Sequence, residues 1–366
     1  MRVPFLLLLS VFLLTFGCGR SQSPATKFQT GAEADSLVLL AYEHLKIFPE
    51  ATQASFAIIE NGKVRFFGVK RNGDSLIHVD NSQAAFEIGS ISKVFTSTLL
   101  ANFVMEGKVK LDDNIGDYLD VPLKGNVRIT LKSLANHTSG LPRLPSNLFP
   151  VVSFDNPYKD YDSRKLESYL SESLTLSDNA GAKSEYSNLG VGLLGYTLEK
   201  VSGKNYEDLL KQYIFSKYGM TSSTTRREAV ADRLVRGLNA NGEPTSNWDL
   251  GVLVGAGGIL STTEDLAKFA LAQFEDTNRE LALTHKKTFT VNERTDIGLG
   301  WHINNTQSGD QWHWHNGGTG GYRSCMAIDV KRRNGVIILT NVSSFHKESA
   351  KIDQLCFALV GTIRPK

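Results

Sequence analysis

Strand patterns crowd the two ends of this chain, and helical patterns fill its middle. Residues 54–60 and 63–69 read as two strands around Asn61-Gly62, the preferred two-residue hairpin turn. Residues 324–330 and 336–341 read as two more, flanking the turn Arg332-Arg333-Asn334-Gly335. Amphipathic helices are expected at about 34–46 and 347–360. Between the strand pairs, Ile91, Phe95, Leu99 and Phe103 recur every fourth residue from Ser90, and Gly107 is placed to end that helix. Residues 189–201 and 206–218 are helical by spacing and stop at Gly203 and Gly219. Ser261-Thr262-Thr263-Glu264 has the form of a capping box that opens a helix to about Phe274. Strands from both ends can share one sheet only if the middle loops out as an insertion. The expected class is α+β: an antiparallel sheet flanked by terminal helices, with an inserted, mainly helical lobe. The α/β lobe would take residues 34–88 and 255–366, and the helical lobe residues 89–254. A cleft between lobes is the natural place for a site.

The first residues carry an address. Arg2 precedes a run, 3–16, that is almost wholly apolar yet shorter than the ~20 residues a spanning helix needs. Residues 1–17 therefore read as a signal peptide. Thr15-Phe16-Gly17-Cys18 is similar to a bacterial lipobox, although Thr15 and Phe16 are unusual there, and makes Cys18 a candidate for lipidation. Residues 18–33, rich in Ser, Gln and Thr, read as a tether. The expected location is the bacterial cell envelope, with membrane contact only through the lipid. A net charge of +2 gives no field that would imply nucleic acid. Cys325 and Cys356 read as buried thiols rather than a required pair.

Three short patterns carry chemistry. Ser90-Ile91-Ser92-Lys93 puts a serine at a helix start and a lysine on the same face. A serine hydroxyl needs a base, and a desolvated lysine can be one. In Tyr186-Ser187-Asn188 the phenol can pass a proton, and the amide can hold a substrate carbonyl and the lysine. His315-Asn316-Gly317-Gly318-Thr319-Gly320-Gly321 is glycine-rich, as a strand edge must be when a substrate lies against it.

Together, in this order, the three patterns resemble the serine β-lactamase and penicillin-binding-protein superfamily, most closely class C β-lactamases and their esterase and D-peptidase relatives. The resemblance extends to 86–93, to His137-Thr138-Ser139-Gly140-Leu141-Pro142, to 257–266 and to Gly298-Leu299-Gly300-Trp301, over about 34–345. It implies a β-lactamase/transpeptidase-like fold and an acyl-enzyme serine hydrolase. Ser90 would be acylated, Lys93 would activate it, and Tyr186 would take its proton and later activate water. Asn188, His315, Gly317 and Gly318 would bind substrate, with the N–H groups of Ser90 and Gly318 as the oxyanion hole. No metal or organic cofactor is implied, and the partner is a small molecule or peptide: a β-lactam, a D-amino-acid peptide or a small ester. A penicillin-binding sensor without fast turnover, or a carboxylesterase, are the alternatives.

The sequence departs from that family at one point. Its β-lactamases and carboxypeptidases have Lys-Thr-Gly where this chain has His315-Asn316-Gly317. A permanent cation gives way to an imidazole mostly neutral at pH 7. Arg323 is a candidate replacement, against an ordinary solvated strand arginine. His313-x-His315 invites a zinc reading but lacks a third ligand at metal-site spacing. His137 could pass for a triad base, yet no Gly-x-Ser-x-Gly elbow accompanies it, so it reads as a loop anchor.

Overall fold

The structure is a computed structural model that describes residues 36–148 and 155–363 of the chain. The expected signal peptide, Cys18 and the tether lie outside the described residues. Helix α1 (Ser36–Leu45) leads into β1 (Gln53–Glu60), β2 (Lys63–Asn72), β3 (Ser75–His78) and β4 (Phe86–Glu87). The helices α2 (Ser92–Met105), α3 (Leu131–Ala135), α4 (Ser163–Ser168), α5 (Asn188–Ser202) and α6 (Tyr206–Leu210) follow. The chain then returns through β5 (Leu260–Ser261), α7 (Thr263–Ala272) and α8 (Arg279–His285). It closes with β6 (Phe289–Asn292), β7 (Thr295–Ile297), β8 (His302–Asn305), β9 (Gln311–Gly318), β10 (Arg323–Asp329), β11 (Asn334–Thr340) and α9 (Ala350–Thr362). Among the described residues no helix is long and apolar enough to cross a membrane.

The sheet runs β3-β2-β1-β11-β10-β9-β8-β7-β6, every pair antiparallel. Strands from both chain ends therefore meet at β1 and β11, where Phe56 stands opposite Ile338. The β1 run is buried at every interior position, and apolar at all of them but Ser55, because both faces are covered. Phe56 and Ile58 pack with Ala327 and Ile338 under α1 and α9, through Leu45, Leu355 and Leu359. Ala57 and Ile59 point the other way, into the larger core with Met326, Ile337 and α2. Alternation by two splits one strand between two cores.

α2 is central. Residues Ser92 to Phe103 are all buried, so it is enclosed on every side rather than on one stripe. Two local expectations shift. The helix after Ser261 is capped by Thr262, whose hydroxyl accepts from the Asp265 N–H at 3.1 Å. Ser261 instead pairs with Phe86 in β5 and shares a hydrogen bond with Ser223 at 2.8 Å. The last hairpin turns through residues 330–333 rather than 332–335, because Asn334 already pairs with Asp329. Arg333 takes the left-handed position there, at φ 55°.

Candidate active site

The nucleophile segment is a stitched junction. The Ile88 N–H donates to the Ile259 carbonyl at 3.0 Å, and the Ile88 carbonyl accepts from the Ser324 hydroxyl at 2.8 Å. A tight turn, Gly89–Ile91, then feeds α2, so Ser90 sits two residues before the α-helix rather than on its first residue. Ser92 faces inward, and its hydroxyl accepts from the Ile259 N–H at 3.1 Å. That bond ties the Ser-Ile-Ser-Lys segment to the 257–260 block.

Lys93 follows one turn on, wholly buried. Its Nζ lies 2.9 Å from the Ser90 Oγ and donates to the Ala256 carbonyl at 2.6 Å. Burial, and then the charge of Arg143, hold its pKa well below the ordinary lysine value. Burial so disfavours the charged form that the amine can offer a lone pair to the hydroxyl beside it. Sequence reasoning gave Asn188 the hold on this amine; the Ala256 carbonyl makes the contact.

Tyr186 and Asn188 come from the entry to α5. Ser187 caps that helix, accepting from Gly190 N–H at 2.8 Å and donating to the Pro142 carbonyl at 2.7 Å. His137 anchors the same strand of chain. Its carbonyl accepts from Glu185 N–H at 2.8 Å and its Nδ1 from Ser187 N–H at 3.2 Å. Those bonds straddle Tyr186, whose ring lies 4.6 Å from the His137 ring. His137 is the positioning group expected of it, and holds φ at 62° to do so. Burial pushes the Tyr186 phenol up to about 12, while the neighbouring Ser90 hydroxyl pulls the other way. The Lys93 Nζ stands 4.9 Å from the centre of the Tyr186 ring. Asn188 keeps its amide oxygen buried without a hydrogen-bond partner. Its amide group also lies against the Tyr158 phenol.

The third motif forms the end of β9. Residues Gln311 to Trp314 pair with β8, whereas His315 to Gly318 have a partner only in β10. The β8 side of that segment is thus open, facing the Gly89 turn. Contact there is backbone to backbone. A Cβ on Gly317 would stand 1.9 Å from the Ile88 oxygen, and one on Gly89, at φ 50°, would stand 2.6 Å from the Gly318 nitrogen. Ser90 and Gly318 line the same small cavity of about 30 Å³, with Tyr158, Asn188 and Trp248 on its walls.

His315 is buried, and its Nδ1 donates to the Asn316 carbonyl at 2.6 Å. Nε2 is then a bare lone pair, buried with no partner. Burial and the neighbouring His302 and Lys93 keep the ring neutral, well below the usual histidine range. Arg323, the candidate replacement for the missing lysine, is not solvated. It is 17% exposed and ion-paired with Asp353 of α9, which also accepts from the Asn316 Nδ2 at 2.8 Å.

Arg143, Tyr158, Trp248, Ala256 and Asp353 were not singled out from sequence. Arg143 directly follows the 137–142 block, and a cation at that spot was the available signal. His313 packs on His285 at 4.6 Å, away from the Ser90 cavity. Among the described residues no three His, Cys, Asp or Glu side chains are grouped to hold a metal. Cys325 and Cys356 are free and buried.

Comparison with known proteins places the chain among relatives of one family. The Beta-lactamase family model matches residues 46–357. A β-lactamase of Pseudomonas fluorescens is 28% identical over 81% of this chain and 90% of its own. The D-alanyl-D-alanine-carboxypeptidase/endopeptidase AmpH of Escherichia coli is 26% identical over 81% of this chain and 87% of its own. Among solved structures, a β-lactamase/D-alanine carboxypeptidase from Pseudomonas syringae superposes with a TM-score of 0.73 at 21% identity, covering 90% of this chain and 100% of that one. The octameric penicillin-binding protein homologue from Pyrococcus abyssi gives 0.74 at 24% identity, over 89% and 77%. With strands of both chain ends in one sheet and a serine–lysine pair beneath its open edge, the chain belongs to the beta-lactamase family of serine hydrolases.

Proposed function

We propose that the chain is an exported serine acyl-hydrolase that forms an ester at Ser90 with an amide or ester substrate: a β-lactam, a D-amino-acid peptide or a small ester. The observation that carries the reading is the 2.9 Å approach of a fully buried Lys93 to the Ser90 hydroxyl. Burial makes the amine a base at physiological pH, and the short contact gives it the serine proton.

In this reading Lys93 takes the proton as Ser90 Oγ bonds to the carbonyl carbon. The developing oxyanion lies between the N–H groups of Ser90 and Gly318. Tyr186, a neutral phenol at pH 7, protonates the leaving nitrogen or oxygen as its bond to carbon breaks, and regains a proton from Lys93. Water then attacks the ester, with its proton passing to the Lys93–Tyr186 pair and on to Ser90 Oγ. Asn188 and the open edge of β9 orient the substrate. His315 offers only an acceptor, which supports ester and peptide substrates beside β-lactams.

The test is turnover of a chromogenic cephalosporin, a D-Ala-D-Ala peptide and an aryl acetate. Ser90→Ala and Lys93→Ala each abolish it, and Tyr186→Phe slows it by ~10²-fold or more. Full activity in Ser90→Ala sinks the reading. Envelope location rests on residues 1–35, with Cys18 as the proposed lipid site; Cys18→Ser releasing the protein from the membrane fraction is the check.

A further inference from the structure

With His315 neutral and Arg323 ion-paired with Asp353, the third motif offers no unpaired cation to an anionic substrate. Arg143 is a cation beside Tyr186, at the start of α5. Its carbonyl accepts from both the Asn188 and Leu189 N–H groups, at 3.0 and 3.2 Å. The residue is thereby clamped to the first turn of α5, the turn that carries Asn188. Its side chain is exposed and lies across Tyr186, the guanidinium carbon 5.1 Å from the ring centre. Among the described residues no carboxylate pairs with it, unlike Arg323. The charge reaches into the site: Lys93, His137, Tyr158 and Tyr186 all respond to it.

Its position relative to Tyr186 sets what it can meet. In the proposed reaction Tyr186 protonates the leaving group, so a guanidinium over the Tyr186 ring stands on the leaving-group side of the scissile bond. We propose that Arg143 is the specificity residue of this enzyme, receiving a carboxylate carried by the leaving group a few bonds from the scissile carbonyl. This rests on the acyl-hydrolase reading above. It narrows the substrate class to anionic leaving groups, such as the C-terminal amino acid of a peptide or the carboxylate-bearing half of a lactam. A planar guanidinium pairs with such a carboxylate through two parallel N–H donors.

The test uses two esters with one reacting bond, 3-acetoxybenzoate and its methyl ester. Wild-type kcat/KM favours the carboxylate about ten-fold or more, a modest value for a partly solvated ion pair. Arg143→Gln removes the preference, and Arg143→Lys restores part of it. Any common loss of rate through Lys93 cancels in the ratio. A preference unchanged in Arg143→Gln, or absent in wild type, overturns the assignment while leaving the hydrolase intact. Turnover of either ester by Ser90→Ala, or of neither by wild type, overturns the hydrolase reading itself and the assignment with it.

Discussion

The Lys93 amine donates to the Ala256 carbonyl at 2.6 Å and sits 2.9 Å from the Ser90 hydroxyl. One backbone oxygen thus orients the amine hydrogens and leaves its lone pair for the serine. A carbonyl carries no full negative charge, so this contact does less than a carboxylate would to offset the cost of burying a charged amine.

A pH dependence follows. The active form is neutral Lys93, so acylation rises with pH through a lysine pKa that lies well below its ordinary value. Arg143 contributes to that lowering, so Arg143→Gln is expected to move the acid limb of kcat/KM to higher pH. Lys93→Arg cannot lose its proton and should cost acylation ~10³-fold or more. A limb that stays in place in Arg143→Gln would contradict the electrostatic account.

Gly317→Ala should be worse than an ordinary glycine change. Its Cβ would overlap the Ile88 oxygen at 1.9 Å, forcing the nucleophile turn and β9 apart. The Gly318 donor then moves off the oxyanion position, which typically costs ~10²–10³ in rate. Rate and melting temperature should both fall.

Much of this was legible in the sequence, for physical reasons that differ by element. Asn61-Gly62 marks its hairpin because both residues take positive φ, 51° and 76°. Gly203 marks the end of α5 in the same way, at 68°. The strands β6 to β8 escaped notice because they are short and partly exposed, with no continuous apolar run. Ser90, Lys93 and Tyr186 could be named because catalysis fixes residue type and spacing. Ala256 could not, since it acts through a carbonyl that every residue has. Asp353 could not either, because its partner Arg323 lies thirty residues away in sequence on another element.

Asp353→Ala should destabilise the protein by about 2 kcal/mol or more, since it strands a largely buried Arg323. It also frees Asn316, next to His315, so kcat/KM should fall beyond what stability explains. Chemical denaturation and kinetics at one temperature separate the two. Unchanged stability would contradict the pairing.

Stability should decline with mild acid. Burial lowers His285 to about 3 and both His302 and His313 to about 4. In the unfolded chain these rings bind protons near pH 6.5, so acid favours the unfolded state first. Their contribution is intact above that pH and is lost as pH falls toward 4. The limiting slope is about 1.4 kcal/mol per pH unit for each ring. Denaturation midpoints at pH 7.5, 6.5 and 5.5 check it; a flat profile would contradict the neutral assignment.

The most direct measurement is intact mass with peptide mapping after exposure to a fluorophosphonate, which a serine Oγ attacks at phosphorus with loss of fluoride. The account predicts one adduct per chain, located on Ser90, strongly slowed in Lys93→Ala and absent in Ser90→Ala. Equal labelling of Ser90→Ala, or an adduct mapped to another residue, would contradict it.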